Sequence, residues 1–378
     1  MTDLFSYWQK TSFLSGFDVL IIGSGIVGLS AALHLKKTKQ QLNIGILESG
    51  FIPAGASTKN AGFACFGSIS ELLEDLKSNS ENEVLSQVEM RWKGLERLRN
   101  NLGDQALSLQ NLGGFELFKT NEAEASEQCI TNIPYFNKLL KPIIGKPDIY
   151  AVNNAKIAEF GLKDIHTIIS NKYEAQIHTG KMMRALLSKV QGLGVLILNN
   201  CEVKKLEKDL HQHIVHTNQG MIKSQNIIVA TNAWTKELIP ELEVNPGRGQ
   251  VLITEPIAGL KIRGTFHYNK GFTYFRNIDE RILLGGFRNL DFQNEETLEP
   301  GISSLIQNSL EEFLKHHILP GIEIKIDQRW SGVMGFGKQN KPIIKKLEPG
   351  LLCAVRCNGM GIAMGSLSGE QVADLVEI

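Results

Sequence analysis

Residues 18–48, DVLIIGSGIVGLSAALHLKKTKQQLNIGILE, place a buried strand, a Gly-x-Gly-x-x-Gly turn, a helix, a second strand and a terminal carboxylate in the order that holds a dinucleotide. Val19, Leu20, Ile21 and Ile22 form an unbroken apolar run, as a parallel strand covered on both faces requires. Gly23 permits the tight turn, Gly25 lets the backbone approach a pyrophosphate, and Gly28 lets the helix pack closely on the sheet. Ser24, Ile26 and Val27 complete the turn. Unpaired N–H groups and the dipole at the helix N-terminus favour phosphate there. Leu29, Ala32, Leu33 and Leu35 give the helix an apolar stripe, and Ile44, Ile46 and Leu47 read as the second strand. Glu48 lies 20 residues beyond Gly28, where a carboxylate accepts ribose hydroxyls and disfavours a 2′-phosphate. A glycine turn kept for packing alone is the alternative, and strand, helix and acid in register argue against it.

A chain of 378 residues with 42% hydrophobic content can bury two cores, and two interleaved domains are expected. Forty basic and forty acidic residues cancel, leaving no electrostatic footprint for nucleic acid or an anionic membrane. The charged run Lys204 to Lys208 reads as a solvated face. The five cysteines, at positions 65, 129, 201, 353 and 357, form no C-x-x-C pair, which suggests neither a zinc site nor a disulfide framework and points to a reduced, cytoplasmic setting. The N-terminal MTDLFSYWQKTSFLSGF lacks a signal-peptide core, and no uninterrupted apolar stretch is long enough to span a membrane.

Further along, the spacing predicts helix over Ser70 to Leu102, a strand at Gly114 to Phe118, and mixed helix and loop from Asn121 to Ser170, broken by Pro134, Pro142 and Pro147. Thr179 is the expected cap of a helix over Gly180 to Val190. Strands follow at Val195 to Leu198 and Cys201 to Leu206, then a hairpin through Asn218 and Gly220 and the apolar strand Ile227 to Thr231. Pro246 to Leu290 is strongly β in pattern, with two strands around an Asp279/Glu280 turn, as suits an antiparallel sheet. The end of the chain carries the strand LLCAV, a glycine-rich turn and a helix from about Gly361.

Together, DVLIIGSGIVGLSAAL with Glu48, GASTKNAGF at Gly55 to Phe63, IIVATNAW at Ile227 to Trp234, GRGQ at Gly247 to Gln250 and NGMGIAMGSLSGEQVADL at Asn358 to Leu375 resemble the FAD-dependent D-amino-acid oxidase and glycine oxidase superfamily. The resemblance spans most of the chain. It implies an α/β plus α+β fold of the glutathione-reductase type, in which a Rossmann-like FAD-binding domain (14–80, 174–245 and 328–378) is interleaved with an antiparallel-sheet substrate domain (81–173 and 246–327) behind an N-terminal extension (1–13). It further implies noncovalent FAD held by Gly23 to Gly28 at the pyrophosphate and by Glu48 and Ser49 along the adenosine. Ala56, Ser57, Thr58, Lys59, Asn60, Ala61, Gly62 and Phe63 match the loop that cradles the flavin. Val203 matches the residue whose backbone meets adenine, and Ala230, Thr231 and Trp234 match the segment near the adenosine diphosphate. Gly359, Met360, Gly361, Ile362 and Ala363 are similar to the turn that brings a helix N-terminus to the flavin's pyrimidine end, where it stabilises an anionic reduced ring.

Departures concentrate at the substrate. Two arginines that grip a carboxylate in glycine oxidase-like members fall on Met334 and Gly359, and the oxygen-activating lysine of sarcosine oxidase-like members falls on Leu283. GASTKNAGF and RWSGVMGFG look closest to the gamma-glutamylputrescine oxidoreductase-like branch, whose members oxidise amines. The implied activity is oxidation of a CH–NH bond of an amine or amino acid, with imine hydrolysis and electrons passed to oxygen or another acceptor. A 2-hydroxy-acid dehydrogenase using a quinone or carrier, and a noncatalytic FAD-binding module, remain as alternatives. An amine with a free pKa near 10.4 costs roughly 4 to 5 kcal/mol to hold neutral at pH 7, so a desolvating pocket assists. Pocket candidates are Cys65, Met334, Arg288 and the alternating Tyr274 and Arg276, which share a strand face with Phe272. A sheet face packed on its own core, or a small buried thiol, is the plainer reading of these residues. His178 reads as a local hydrogen-bonding residue and Trp330 as core.

Overall fold

The computed structural model describes residues 5–210 and 212–377; residues 1–4 of the expected N-terminal extension and Ile378 lie outside them. The rest of that extension includes a short helix, Tyr7–Phe13, started by a Ser6/Gln9 capping box.

Two large sheets organise the chain. In the first, five parallel strands run in the order Leu351–Val355, Gly220–Val229, Phe17–Ile22, Ile44–Leu47 and Leu196–Leu198. Antiparallel Ile343–Glu348, His213–Thr217 and Val203–Lys208 extend it. The continuous apolar runs are explained by helices and loops covering both faces: Val19, Ile21, Ile44 and Ile46 enter one core, Leu20, Ile22 and Leu47 another. The helix Ile26–Thr38 lies against the C-terminal helix Gly361–Asp374 at very short range, since a Cβ on Gly369 would stand 2.7 Å from the Ala31 nitrogen.

The second sheet runs Ile326–Phe336, Asn245–Thr254, Arg281–Gly286, Thr273–Ile278, Thr265–Tyr268, Gly114–Lys119, Ile165–Asn171, Tyr150–Val152. It is antiparallel except where Thr265–Tyr268 pairs with Gly114–Lys119 in parallel. Alternation divides its faces. Phe115, Leu117, Leu252, Phe266, Phe275, Ile282 and Leu284 form a core with the helix Ser304–Phe313, Phe266 stacking on Phe275 at 4.4 Å. The opposite face carries Glu116, His267, Tyr274, Arg276 and Leu283.

Several local expectations change. The predicted helix from Ser70 to Leu102 is two helices, Ile69–Asp75 and Glu81–Leu102, because Ser80 and Glu83 form a capping box that starts the second. Glu81–Leu102 also serves two cores: Val84 and Val88 pack with Phe66 and Phe136, whereas Leu95 and Leu98 join the core of the first sheet. Pro134 and Pro142 do not break the chain but lie inside a 22-residue helix, Ala123–Ile144. His178, not Thr179, caps the helix Thr179–Gly192, its Nδ1 accepting from the Lys181 N–H at 3.3 Å. The apolar strand predicted at Ile227 begins at Gly220 and stops at Val229. Asp279 and Glu280 turn the hairpin as expected, with φ of 46° and 57°.

Candidate functional site

A cleft runs along the carboxyl ends of the parallel strands, the position where open α/β sheets collect ligands. Gly23 leaves the first strand with φ of 104°, and a Cβ there would stand 2.8 Å from the Ala230 carbonyl oxygen. Only glycine suits that turn. The helix Ile26–Thr38 has no side-chain N-cap from its own Gly25; instead the Ile26 N–H donates to Ser57 Oγ at 3.0 Å. At the end of the second strand, Glu48 is buried and held by three hydrogen bonds within the protein. Its Oε2 accepts from the Ser24 N–H at 3.1 Å and the Ser24 hydroxyl at 2.6 Å, and its Oε1 from the Gly50 N–H at 3.0 Å.

Of the residues singled out in the sequence, the cleft wall brings together Gly23, Gly25, Ile26, Val27, Glu48, Ser49, Ala56, Ser57, Asn60, Val203, Ala230, Thr231, Trp234, Met334, Gly359, Gly361 and Ile362. Others stand behind it. Ser24 is fully buried against Glu48; Thr58 Oγ1 bonds the carbonyls of Pro53 and Gly55; Ala61 packs with Val251 and Leu283 on the second sheet. Asn60 ties the loop to the helix Thr179–Gly192 through Thr179 Oγ1 at 2.9 Å. The Lys59 backbone carbonyl accepts the indole N–H of Trp330 at 2.9 Å, so Trp330, half-buried on Ile326–Phe336, ties this loop to the second sheet.

Sequence reasoning missed Asn232, Glu237, Glu202 and Asn358 on this wall. Asn232 and Asn358 carried a readable signal, since asparagine tolerates positive φ at tight turns and both adopt it, at 49° and 46°. Asn358 Oδ1 accepts from the Gly337 N–H at 3.1 Å, locking the turn that precedes the C-terminal helix to the strand bearing Met334.

The substrate candidates separate. Met334 sits at the cleft with its Cε over Gly249 and its Sδ beside Gly359. Tyr274 lies over Gly285 and meets Phe63 edge-on at 5.5 Å; burial pushes its hydroxyl up to about 12. Arg288 lies over Gly247, the residue paired with Met334. Arg276, by contrast, lines a second cavity of about 660 Å³ with Gln176, His178, Lys181 and Asp279. It is paired with Leu283 across the hairpin, and burial lowers its guanidinium to about 10.

Cys65 belongs to a buried cluster with Glu174 and His267, whose ligand-type atoms lie within 4.8 Å of one another. His267 Nε2 donates to Glu174 Oε2 at 3.0 Å, while Glu174 Oε1 is buried with no hydrogen-bond partner among the described residues. Burial opposes the imidazolium, yet the charge and hydrogen bond of Glu174 outweigh it and hold His267 near 9. Burial, reinforced by the Glu174 and Glu71 carboxylates, also pushes the Cys65 thiol well up, which favours its neutral form. Nearby Glu116, bonded by Ser68 and Ser70, is raised by burial to about 7.

The family model for FAD-dependent oxidoreductases matches residues 18–375. The chain is 23% identical to a glycine oxidase of Geobacillus kaustophilus, over 96% of this chain and 93% of that protein. It is 24% identical to gamma-glutamylputrescine oxidoreductase of Escherichia coli, over 95% and 83% respectively. Among solved structures, L-proline dehydrogenase of P. horikoshii superposes with a TM-score of 0.78 at 20% identity, covering 96% of this chain and 93% of that one.

Proposed function

Given that this chain belongs to the FAD-dependent oxidoreductase family, we propose that it oxidises a CH–NH bond of a small amine or amino acid, using FAD held noncovalently in the cleft. The observation that carries this reading is the continuity of the cleft from Val203 through Glu48 and Gly25 to Met334 and Gly359. Its residues suit the dinucleotide in kind. Glu48, already oriented by Ser24 and Gly50, would take the ribose hydroxyls, and the N-terminus at Ile26 and Val27 would face the pyrophosphate. The loop from Ala56 to Phe63 would hold the flavin from one side. Gly359 to Ala363, at the start of the C-terminal helix, would place N–H groups at its pyrimidine end. The glycine oxidase and gamma-glutamylputrescine oxidoreductase relatives support the choice of substrate class.

The chemistry that FAD supplies when bound is acceptance of a hydride equivalent from the carbon bearing the amine. The chain's part is position and desolvation. Gly247, Gly249 and Gly332 make room on paired strands for the side chains that lie over them, Phe336, Met334 and Lys59; Met334 forms an apolar wall, and Leu283 and Val251 pack with Ala61 and Phe63 on the same sheet. Such surroundings favour the neutral amine that can give up hydride. No side chain here has to act as a base. Water then adds to the released imine, giving a carbonyl compound and ammonia or a smaller amine.

Product analysis tests the proposal. Incubated with a substrate amine and an electron acceptor, the FAD-loaded protein is expected to release one carbonyl product and one nitrogen product per two electrons transferred. A carbonyl product formed from a 2-hydroxy acid, with no nitrogen released by any amine, would refute it.

A further inference from the structure

The cavity of about 660 Å³ beside the Asp279/Glu280 hairpin shares no lining residue with the cleft, and its volume suits a small-molecule ligand. Arg276 lines it as a cation without an anion. Only 3% of the residue is exposed and its Nε is buried. Among the described residues, no oxygen accepts a hydrogen bond from the Arg276 guanidinium or stands within ion-pair distance of it. Asp279, on the same wall, acts on it through charge alone, and burial works against its charge. Buried polar groups are hydrogen-bonded as a rule, so an unmatched guanidinium on a cavity wall points to a partner from outside the chain.

The other charged groups on the wall decide what that partner is. Arg263 Nη2 pairs with Glu280 Oε1 at 3.2 Å, so these two cancel. His178 spends its Nδ1 accepting the Lys181 N–H and adds no charge. The exposed Lys181 Nζ donates to Ser108 Oγ at 2.9 Å rather than to a carboxylate. Lys181 and Arg276 therefore face Asp279 with one positive charge to spare, which matches a monoanion and opposes a doubly charged phosphate ester. The planar fork of a guanidinium fits the two oxygens of a carboxylate. Leu112, Ile177 and Ile278 give the rest of the wall an apolar surface. We infer that this cavity is a second ligand site, distinct from the cleft, which takes a small organic acid with its carboxylate on Arg276 and its apolar body against Leu112, Ile177 and Ile278.

The site backs onto the loop that borders the cleft. Asn60 lines the cleft, and two residues on, a Cβ at Gly62 would stand 3.0 Å from Arg276 Nη2, while the Ile177 N–H donates to the Gly62 carbonyl at 2.9 Å. An acid on Arg276 thus lies behind this loop, where no residue of the cleft wall reaches it. Nothing in the inference depends on the oxidase reading, and either can fail without the other.

The test uses the FAD-loaded protein and para-bromobenzoate, whose bromine can be placed by anomalous diffraction. The bromine is expected in the cavity beside Leu112 and Ile278. Calorimetric titration is expected to show the acid binding at least about tenfold more tightly than para-bromobenzamide or para-bromophenyl phosphate. Arg276→Met should raise the dissociation constant at this site by about 10- to 100-fold and remove the bromine from the cavity. Arg276→Lys should do less, since it keeps the charge without the fork. Leu112→Trp alters no charge and should weaken binding by narrowing the cavity. Flavin content and melting temperature are measured for each variant; if neither Arg276 variant retains flavin, Leu112→Trp and Lys181→Met decide. Bromine in the cleft alone, no binding of the acid, equal binding of acid and amide, a phosphate ester bound as tightly as the acid, or an acid affinity unaltered in the folded variants would overturn the inference.

Discussion

The hydroxyl of Ser24 donates to Oε2 of Glu48 at 2.6 Å, and the Ser24 N–H reaches the same oxygen at 3.1 Å. The residue after the first glycine of the turn thus orients the acid that ends the second strand. Glu48→Gln would turn an amide nitrogen or a neutral oxygen toward these donors and remove the charge from the ribose site. We expect the FAD dissociation constant to rise by about 10- to 100-fold, read by flavin fluorescence on titration. Ser24→Ala should cost less, because the backbone N–H groups of Ser24 and Gly50 still hold the carboxylate.

Gly23→Ala should damage the fold at the same point. The backbone there has φ of 104°, and the new methyl would stand 2.8 Å from the Ala230 oxygen. A loss of about 1–3 kcal/mol is expected from the strain alone, seen as a lower urea midpoint, together with weaker FAD retention.

Phe266→Ala separates the two halves of the molecule. Phe266 is fully buried and stacks on Phe275 in the core of the second sheet, so truncation should cost about 3–5 kcal/mol. The cleft is walled mainly by the other sheet, and from this one by Met334, outside the core that Phe266 fills. Flavin binding by the folded fraction is therefore expected to be unchanged, as measured by the ratio of flavin to protein after gel filtration.

The His267–Glu174 pair predicts a pH signature. His267 has a folded pKa raised to about 9 from 6.5. A raised value means that its contribution to stability is complete below 6.5 and is lost as the pH climbs through 9. Urea unfolding from about pH 6 to about pH 9.5 should show this decline, and His267→Gln should flatten it. Equal slopes in the two proteins would contradict the assignment.

The first strand, its turn and Glu48 were legible in the sequence because each part is fixed by local chemistry: an apolar run, glycines where the backbone must turn or approach, an acid at a set distance. The turn before the C-terminal helix was legible for the same reason. The helix containing Pro134 and Pro142 was not, since tertiary support for a proline-bearing helix leaves no local trace; here Phe136 and Leu140 are buried between those prolines. The Ser80/Glu83 capping box was written in the sequence but hidden by apolar spacing that continued across it. The layer of Glu116, Glu174 and His267 between the sheets was half legible. Glu116 alternates with Phe115 and Leu117 and so had to face away from them, but only the fold brings Cys65, Glu174 and His267 together.

The most direct test of the account is anaerobic mixing of the FAD-loaded protein with amines and amino acids, each prepared with and without deuterium on the carbon that carries the nitrogen. The account predicts that the flavin absorbance bleaches and that deuterium slows the bleaching, because the C–H bond beside the amine is the one broken. Failure of every amine to bleach the flavin, with bleaching by 2-hydroxy acids instead, would contradict it.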